Sequence, residues 1–97
     1  MNFEWDESKS KTNIAKRDLD FADAWQIFDA PMVVRIDNQK DYGEERFVGI
    51  GFLKNLVVVI VFTEPNEQTI RVVSLRKALK YEREQFEKYI TNQLGET

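Results

Sequence analysis

The chain is 97 residues long, 42% hydrophobic and 32% charged, with a formal net charge of −3, which fits one ordered domain able to bury about 60–70% of its unfolded surface. It contains neither cysteine nor histidine; that excludes a disulfide framework, a thiolate nucleophile, zinc-thiolate and His-metal sites and the Ser-His-Asp triad, and leaves any catalysis to Lys, Arg, Tyr and carboxylates. No run approaches the ~20 apolar residues of a membrane span and MNFEWDESKSK lacks a signal peptide's apolar core, so we expect a cytoplasmic protein without metal or cofactor.

In chain order, Asn2–Trp5 alternates polar and apolar residues as a short edge strand. Asp6 is placed to cap a helix over DESKSKTNIAKR, with Asp6 and Glu7 at its positive end and Lys16 and Arg17 at its negative end. Lys9 and Asn13, four apart, share one face of it, where both are expected in solvent unless a ligand engages them. Asp20 caps a second predicted helix, FADAWQIFD, whose Phe21, Ala24, Trp25 and Phe28 fall at i, i+3, i+4 and i+7. That stripe assigns Trp25 to the core, and Pro31 ends the helix.

From Met32 the period falls toward two. MVVRID reads as a strand, DNQKDYG as a loop, EERFVGIGFL as a strand, LKN as a turn and LVVVIVFTE as the central strand, since its apolar run needs cover on both faces. Thr63–Glu67 reads as a turn around Pro65, and TIRVVSL as the strand pairing back. Such short connections imply antiparallel neighbours. A last helix runs from about Lys77 to Gln93, with Leu79, Phe86, Ile90 and Leu94 on its apolar side, the pair Glu84 and Lys88 opposite, and Gly95 as C-terminal cap. The expected fold is α+β: a small antiparallel meander with two N-terminal helices and one C-terminal helix.

Chemistry concentrates in QTIRVVSLRKALKYER, where Arg71, Arg76, Lys77, Lys80 and Arg83 against Glu82 give a local charge of +4 in an acidic chain. Guanidinium groups grip phosphate in bidentate forks and stabilise a phosphorane when held by rigid elements. Arg46, on another strand, is a candidate to join them, with Glu45 to orient it. In a regular strand Ser74 and Arg76 share one face and Arg71 takes the other, so the three converge only if the strand twists, bulges or ends between them. The reaction open to such a site without histidine or metal is attack by an RNA's own 2′-hydroxyl on the adjacent phosphate. Lys77 or Lys80, among like charges, would serve as base, and Tyr81 as proton donor or stacking partner. The plain alternative is a solvated helix face.

Four segments, FEWDESKSKTNIAKR, DFADAWQIFD, GEERFVGIG and IRVVSLRKALKYER, resemble in order and spacing the BrnT family of toxins from bacterial BrnT–BrnA type II toxin–antitoxin modules. Trp5, Asp6, Lys9 and Asn13 match its N-terminal motif, Gly43, Glu44, Glu45 and Arg46 its GEER, Arg71, Ser74, Arg76, Lys77 and Ala78 its IRxISxRKA, and Glu82 and Arg83 the following ER. The resemblance implies a RelE-like ribonuclease fold, an RNA-cleaving toxin that arrests translation, and a BrnA-like antitoxin that neutralises it and carries operator DNA binding into the complex. The family's usual His-Gly is Arg17 and Asp18 here, and its usual small Ala is Leu75, beside the proposed site. The candidate catalytic residues are thus Arg46, Arg71, Arg76, Lys77, Tyr81 and Glu45. Lys9, Asn13, Ser74, Lys80 and Arg83 are candidates to bind RNA, and Tyr89 to bind the partner. The acidic balance and Leu75 leave a second reading open, a binding module of the same fold with decayed catalysis that acts through an antitoxin-like partner.

Overall fold

The computed structural model describes residues 1–37 and 43–95, so most of the predicted 37–43 loop lies outside the described residues, while Gly95, the predicted C-terminal cap, is the last residue of the final helix itself. Strand β1 is Asn2–Trp5 and helix α1 Glu7–Arg17. A 3-10 turn covers Phe21–Asp23, and α2 is the single turn Trp25–Phe28. Then come β2 (Met32–Asp37), β3 (Arg46–Leu53), β4 (Leu56–Asn66), β5 (Thr69–Lys77) and α3 (Lys80–Gly95).

Helix α1 starts as its sequence dictates, with Asp6 Oδ1 accepting the Lys9 backbone N–H at 3.2 Å. It stops at Asp18, which takes φ 58° and donates its N–H to the Ile14 carbonyl at 2.9 Å. Asx side chains tolerate this left-handed conformation better than most, though less well than glycine. The face of α1 turned inward is polar. Asn13 is buried and its amide donates to the Leu19 carbonyl at 2.8 Å, while the Ser10 hydroxyl, also buried, approaches Asp20 Oδ1 at 3.5 Å. Asn13 is therefore not the solvated residue its spacing predicts; it ties the helix to the segment that follows.

The second predicted helix is broken. Asp20 caps it as expected, accepting from the Ala22 N–H at 2.9 Å, but the first turn winds as 3-10. Three residues per turn make positions three apart eclipse, so Phe21, Ala24 and Ile27 are the buried set. Trp25 is rotated outward and stays 50% exposed, contrary to the core assignment drawn from a period of 3.6. It lines a cleft of about 500 Å³ with Met1, Phe3, Trp5, Ala22, Phe28 and Asp29.

The sheet has the order β1-β5-β4-β3-β2. The four strands β2 to β5 form the expected antiparallel meander with β4 in the middle, but β1 pairs with β5 in parallel. The sheet is mixed because the N-terminal strand reaches β5 by a long route through every element between them, and nothing in a four-residue pattern sets its direction. Strand β4 runs on through Pro65 to Asn66, with the register broken between Thr63 and Asn66. The turn is the tighter Glu67–Gln68, with the Gln68 N–H bonded to Asn66 Oδ1 at 2.9 Å. Pro65 sits where the ladder is already interrupted and needs no donor.

One sheet face packs on α1, the 3-10 turn and α2 through Leu53, Val58, Ile60, Phe62, Ile70, Val72 and Leu75. Gly51 makes this approach possible, since a Cβ there would meet Ile27 Cγ2 at 2.8 Å. Helix α3 crosses one end of the opposite face. Glu82 bonds Arg76 on β5, and the buried Phe86 stacks edge-on against Phe52 of β3 at 5.0 Å. Further along, Tyr89, Ile90 and Gln93 line a groove with Pro31 and Met32 at the start of β2. The helix begins at Lys80 rather than Lys77, which belongs to β5, and Leu79 before it is exposed.

Candidate nucleic-acid interface

The cations converge because β5 is irregular. Its register against β4 pairs Ser74 with Val61 and Val72 with Phe62, so Val73 is an extra residue at that point. A bulge of one residue reverses the alternation across it. Arg71, Ser74 and Arg76 thereby stand beside Thr63, Val61 and Val59, three residues of β4 on one face. The regular-strand expectation that Arg71 points away from the other two is corrected by this bulge.

Reading across strands, three rows lie on that face. The first is Asp37–Arg46–Thr63–Arg71–Glu4, the second Arg35–Val48–Val61–Ser74 and the third Val33–Ile50–Val59–Arg76. Strands lie ~4.8 Å apart, so the Cα atoms of Arg46 and Arg71, flanking Thr63, stand about 10 Å from each other. That spacing leaves room for one phosphate gripped from both sides. Thr63 is 1% exposed and its hydroxyl has no hydrogen-bond partner, a polar atom held in the middle of the cationic row.

The two C-terminal arginines are not equivalent. Arg71 donates to Glu4 Oε2 at 2.7 Å, with the two side chains 45% and 46% exposed; such a solvent-screened pair is worth ~0–1 kcal/mol and exchanges readily for another anion. Arg76 is committed. Its Nη1 and Nη2 donate to the two Glu82 oxygens at 2.7 and 2.9 Å, and Nη1 also reaches the Lys77 carbonyl at 3.2 Å. Glu82 Oε1 in turn accepts the Leu79 backbone N–H at 2.8 Å, half of a capping box at the start of α3. The Arg76 hydrogen bonds, with help from the Leu79 N–H and the charge of Arg35, hold the Glu82 carboxyl below its ordinary range, and Glu82 raises Arg76. The fork assigned from sequence to a phosphate is filled by the protein's own carboxylate.

The remaining candidates are spread over three places. Tyr81, 61% exposed, lies in the first turn of α3 close enough for its phenol to act on the charge of Arg76. Lys77 is in register with Val58 on the core-packed face; at the end of β5 it lines both a hollow of about 460 Å³ with Ala15, Lys16, Arg17 and Asp18 and a groove with Phe52 and Arg83. Lys9, Thr12, Lys16 and Arg17 of α1 line a groove of about 310 Å³ with Val73 and Ser74, so Ser74 is where the sheet face meets the α1 cations. Asn13 lines the same groove with its amide already spent on Leu19. Lys80 and Arg83 are exposed on α3, Arg83 in a groove with Phe52 and Leu56. Glu45 is exposed one residue before β3, and the carboxylate in register with Arg46 is Asp37. Tyr89 is 42% exposed on the far half of α3.

Sequence reasoning missed Arg35, Thr63 and the function of Glu82. Glu82 was findable, since a Glu three residues after a helix's first flanking residue is capping-box spacing. The signal is weak because Leu79, not Ser or Thr, holds the cap position.

No helix among the described residues is long and apolar enough to cross a membrane. No protein of curated function matches the chain. Among solved structures it is similar to the 1.1 Å crystal structure of the Brucella abortus ribonuclease toxin BrnT, at 30% identity and a TM-score of 0.64 over 82% of this chain and 99% of that one. The sequence model of the family described as "Ribonuclease toxin, BrnT, of type II toxin-antitoxin system" matches residues 5–82, most of the chain and every residue of the three rows except Glu4. The chain belongs to the BrnT family of ribonuclease toxins of type II toxin–antitoxin systems.

Proposed function

We propose that this chain is an endoribonuclease of RelE-like fold that cleaves RNA without a metal, by attack of the 2′-hydroxyl on the adjacent phosphate, and so arrests translation in the cytoplasm. The observation that carries the proposal is the row Arg46–Thr63–Arg71, which the Val73 bulge turns to the same face as Ser74 and Arg76. A phosphodiester laid over Thr63 displaces Glu4 from Arg71 and is gripped by Arg46 and Arg71, whose charges stabilise the phosphorane. The 2′-hydroxyl gives its proton to water as its oxygen bonds to phosphorus, the bond to the 5′-oxygen breaks and that oxygen takes up a proton from water, leaving a 2′,3′-cyclic phosphate and a 5′-hydroxyl. Tyr81 stands with Arg76 at the Val59 end of the face, ~13 Å along β4 from Thr63, where its exposed ring is placed to stack on a base flanking the scissile phosphate. Arg76 is a positioning residue, tied to Glu82, and Lys77, on the other face, has no part in the step. RNA flanking the scissile phosphate runs past Ser74 toward Lys9, Lys16 and Arg17. A BrnA-like antitoxin silences the chain by covering this face and brings operator DNA to the complex.

A second reading, that of a catalytically decayed binding module, draws on one observation: Arg71 and Arg76 both carry internal carboxylate partners. Expression of the chain alone separates the two. Ribonuclease action gives growth arrest and new RNA ends bearing 2′,3′-cyclic phosphate, both lost in Arg71→Ala and Arg46→Ala. Healthy growth and intact RNA with soluble, folded wild-type protein would hand the case to the binding module.

A further inference from the structure

Strand β1 pairs with β5 only as far as Val72, and beyond that point α1 runs beside the outer edge of β5. Three hollows adjoin one another there. Lys16 and Arg17 line both the groove at Ser74 and the hollow that follows, and Lys77 lines both that hollow and the groove at Phe52. Shared walls make the three a continuous seam. Lys9, Lys16, Arg17, Lys77 and Arg83 line it against two carboxylates, Asp18 and Glu87, in a chain whose net charge is −3. None of these five cations makes an ion pair among the described residues, whereas Arg71 and Arg76 are each held by a carboxylate. Unpaired like charges in a row repel one another, and a row of anions relieves that repulsion.

The spacing suits a polymer rather than a small anion. Lys9 and Lys16, seven residues apart on one helix, stand ~10 Å apart along α1, and Ser74 to Lys77 spans ~10 Å of β5. Ser8, Thr12 and Ser74 place hydroxyls between the first cations. The last groove changes character. It encloses about 340 Å³ beside Phe52 and Leu56, each 37% exposed, and adds the Asn55 amide, which both donates and accepts. The Phe52 ring is held by its T-shaped contact with the buried Phe86. We infer that the seam carries single-stranded RNA away from the scissile phosphate and that the groove at its end binds one nucleobase, stacked on Phe52 and met at its edge by Asn55, with Lys77 and Arg83 on the phosphates beside it. The choice of RNA rests on the ribonuclease reading, and the seam gives Lys77 a place in binding that the cleavage step does not.

Fluorescence anisotropy of the whole chain with a labelled 2′-O-methyl RNA of about eight nucleotides, which has no 2′-hydroxyl to attack, measures binding alone, with circular dichroism as the check on folding. Lys77→Gln and Arg83→Gln are each expected to weaken binding and to reduce the slope of log binding constant against log salt by about 0.7. Lys11→Gln and Lys88→Gln, exposed cations outside the seam, are expected to leave both unchanged. Oligonucleotides lacking one base at a time locate the groove: at one position the loss costs wild type about tenfold, and Phe52→Ala, itself about tenfold weaker, shows no further loss there. Should Phe52→Ala unfold, Phe52→Leu, which keeps an apolar side chain against Phe86 and lacks the π-face, takes its place. The inference is overturned if wild type does not bind the RNA, if Lys77→Gln and Arg83→Gln keep the wild-type slope, or if no single base matters by more than about twofold. It is overturned too if a glutamate peptide of equal charge binds as tightly, which gives the seam to a protein segment. Wild type that binds as expected yet leaves unmodified RNA intact keeps the seam and removes the ribonuclease reading.

Discussion

Replacing Glu82 by alanine removes three hydrogen bonds at once: two to the Arg76 guanidinium at 2.7 and 2.9 Å and one from the Leu79 N–H at 2.8 Å. The lost cap is worth ~1 kcal/mol. The bidentate pair joins a carboxylate only 13% exposed to a guanidinium 34% exposed; discounted for that solvent contact it adds ~1–2 kcal/mol. The sum, ~2–3 kcal/mol, lowers the melting temperature of a chain this size by roughly 10–20 °C. Glu82→Gln keeps an oxygen for the Leu79 N–H and loses the charge, so its cost is about half. Arg76→Ala costs a similar ~1–2 kcal/mol, and the double variant falls short of the sum of the singles by ~1 kcal/mol or more because both delete the same contact. Acid separates the charge effect from the rest. The Glu82 carboxyl is lowered in the folded chain, so its stabilisation is complete above the unfolded carboxyl range near pH ~4.3 and is lost as pH falls through the folded value. Arg76, raised, stays protonated throughout. Thermal melts of wild type and Glu82→Gln should therefore differ by a constant amount from neutral pH down to about pH 5 and converge only as pH falls below the ordinary carboxyl range and through the lowered folded value. Additive single effects below ~0.5 kcal/mol, or a gap that widens in acid, would refute the assignment of Arg76 to structure.

Three further outcomes are expected. Asp18→Gly relieves a left-handed residue at φ 58° and should raise stability by ~0.5–1 kcal/mol in urea unfolding. Asn13→Ala leaves the buried Leu19 carbonyl without its donor at 2.8 Å and should cost ~1–3 kcal/mol by the same measurement. Trp25→Ser should change stability by no more than about 0.5 kcal/mol, since the side chain is 50% exposed; a core tryptophan would cost several times that.

Much of the fold was legible because the relevant signals are local. The Asp6 and Asp20 caps, the antiparallel order of β2 to β5 and the central place of β4 all follow from period, capping chemistry and loop length. What was not legible depends on geometry that forms between segments. The direction of β1 is set by where β5 lies, not by NFEW. The winding of FADAWQIFD was misread because 3.0 and 3.6 residues per turn share positions i and i+3 and part only at the next step, where Ile27 goes inward and Trp25 outward. Asn13 looked solvated because a polar residue on a charged helix gives no hint that a chain reversal five residues later will offer it a carbonyl.

The candidate site divides along the same line, and Val73 marks the division. Sequence supplied the right residue types, but a strict alternation from Ile70 to Lys77 sends Arg71 to the core-packed side with Leu75 or sends Leu75 out with Arg71. Neither is tolerable, since Ile70, Val72 and Leu75 are all buried and Arg71 is exposed. The odd spacing between Val72 and Leu75 is itself the sequence trace of a bulge: two residues that both demand the core, three apart, cannot lie on one face of a regular strand. Once Val73 absorbs the extra step, Arg71 is returned to the face of Ser74 and Arg76 without any cost to the core. The same step also decides which arginine is available. Arg76 falls beside Val59, where α3 begins and Glu82 closes on it, while Arg71 falls beside Thr63 at the open end of the face, held only by an exposed Glu4. Packing of three aliphatic residues thus places the cations, and the start of α3 determines which of them is left to meet an anion.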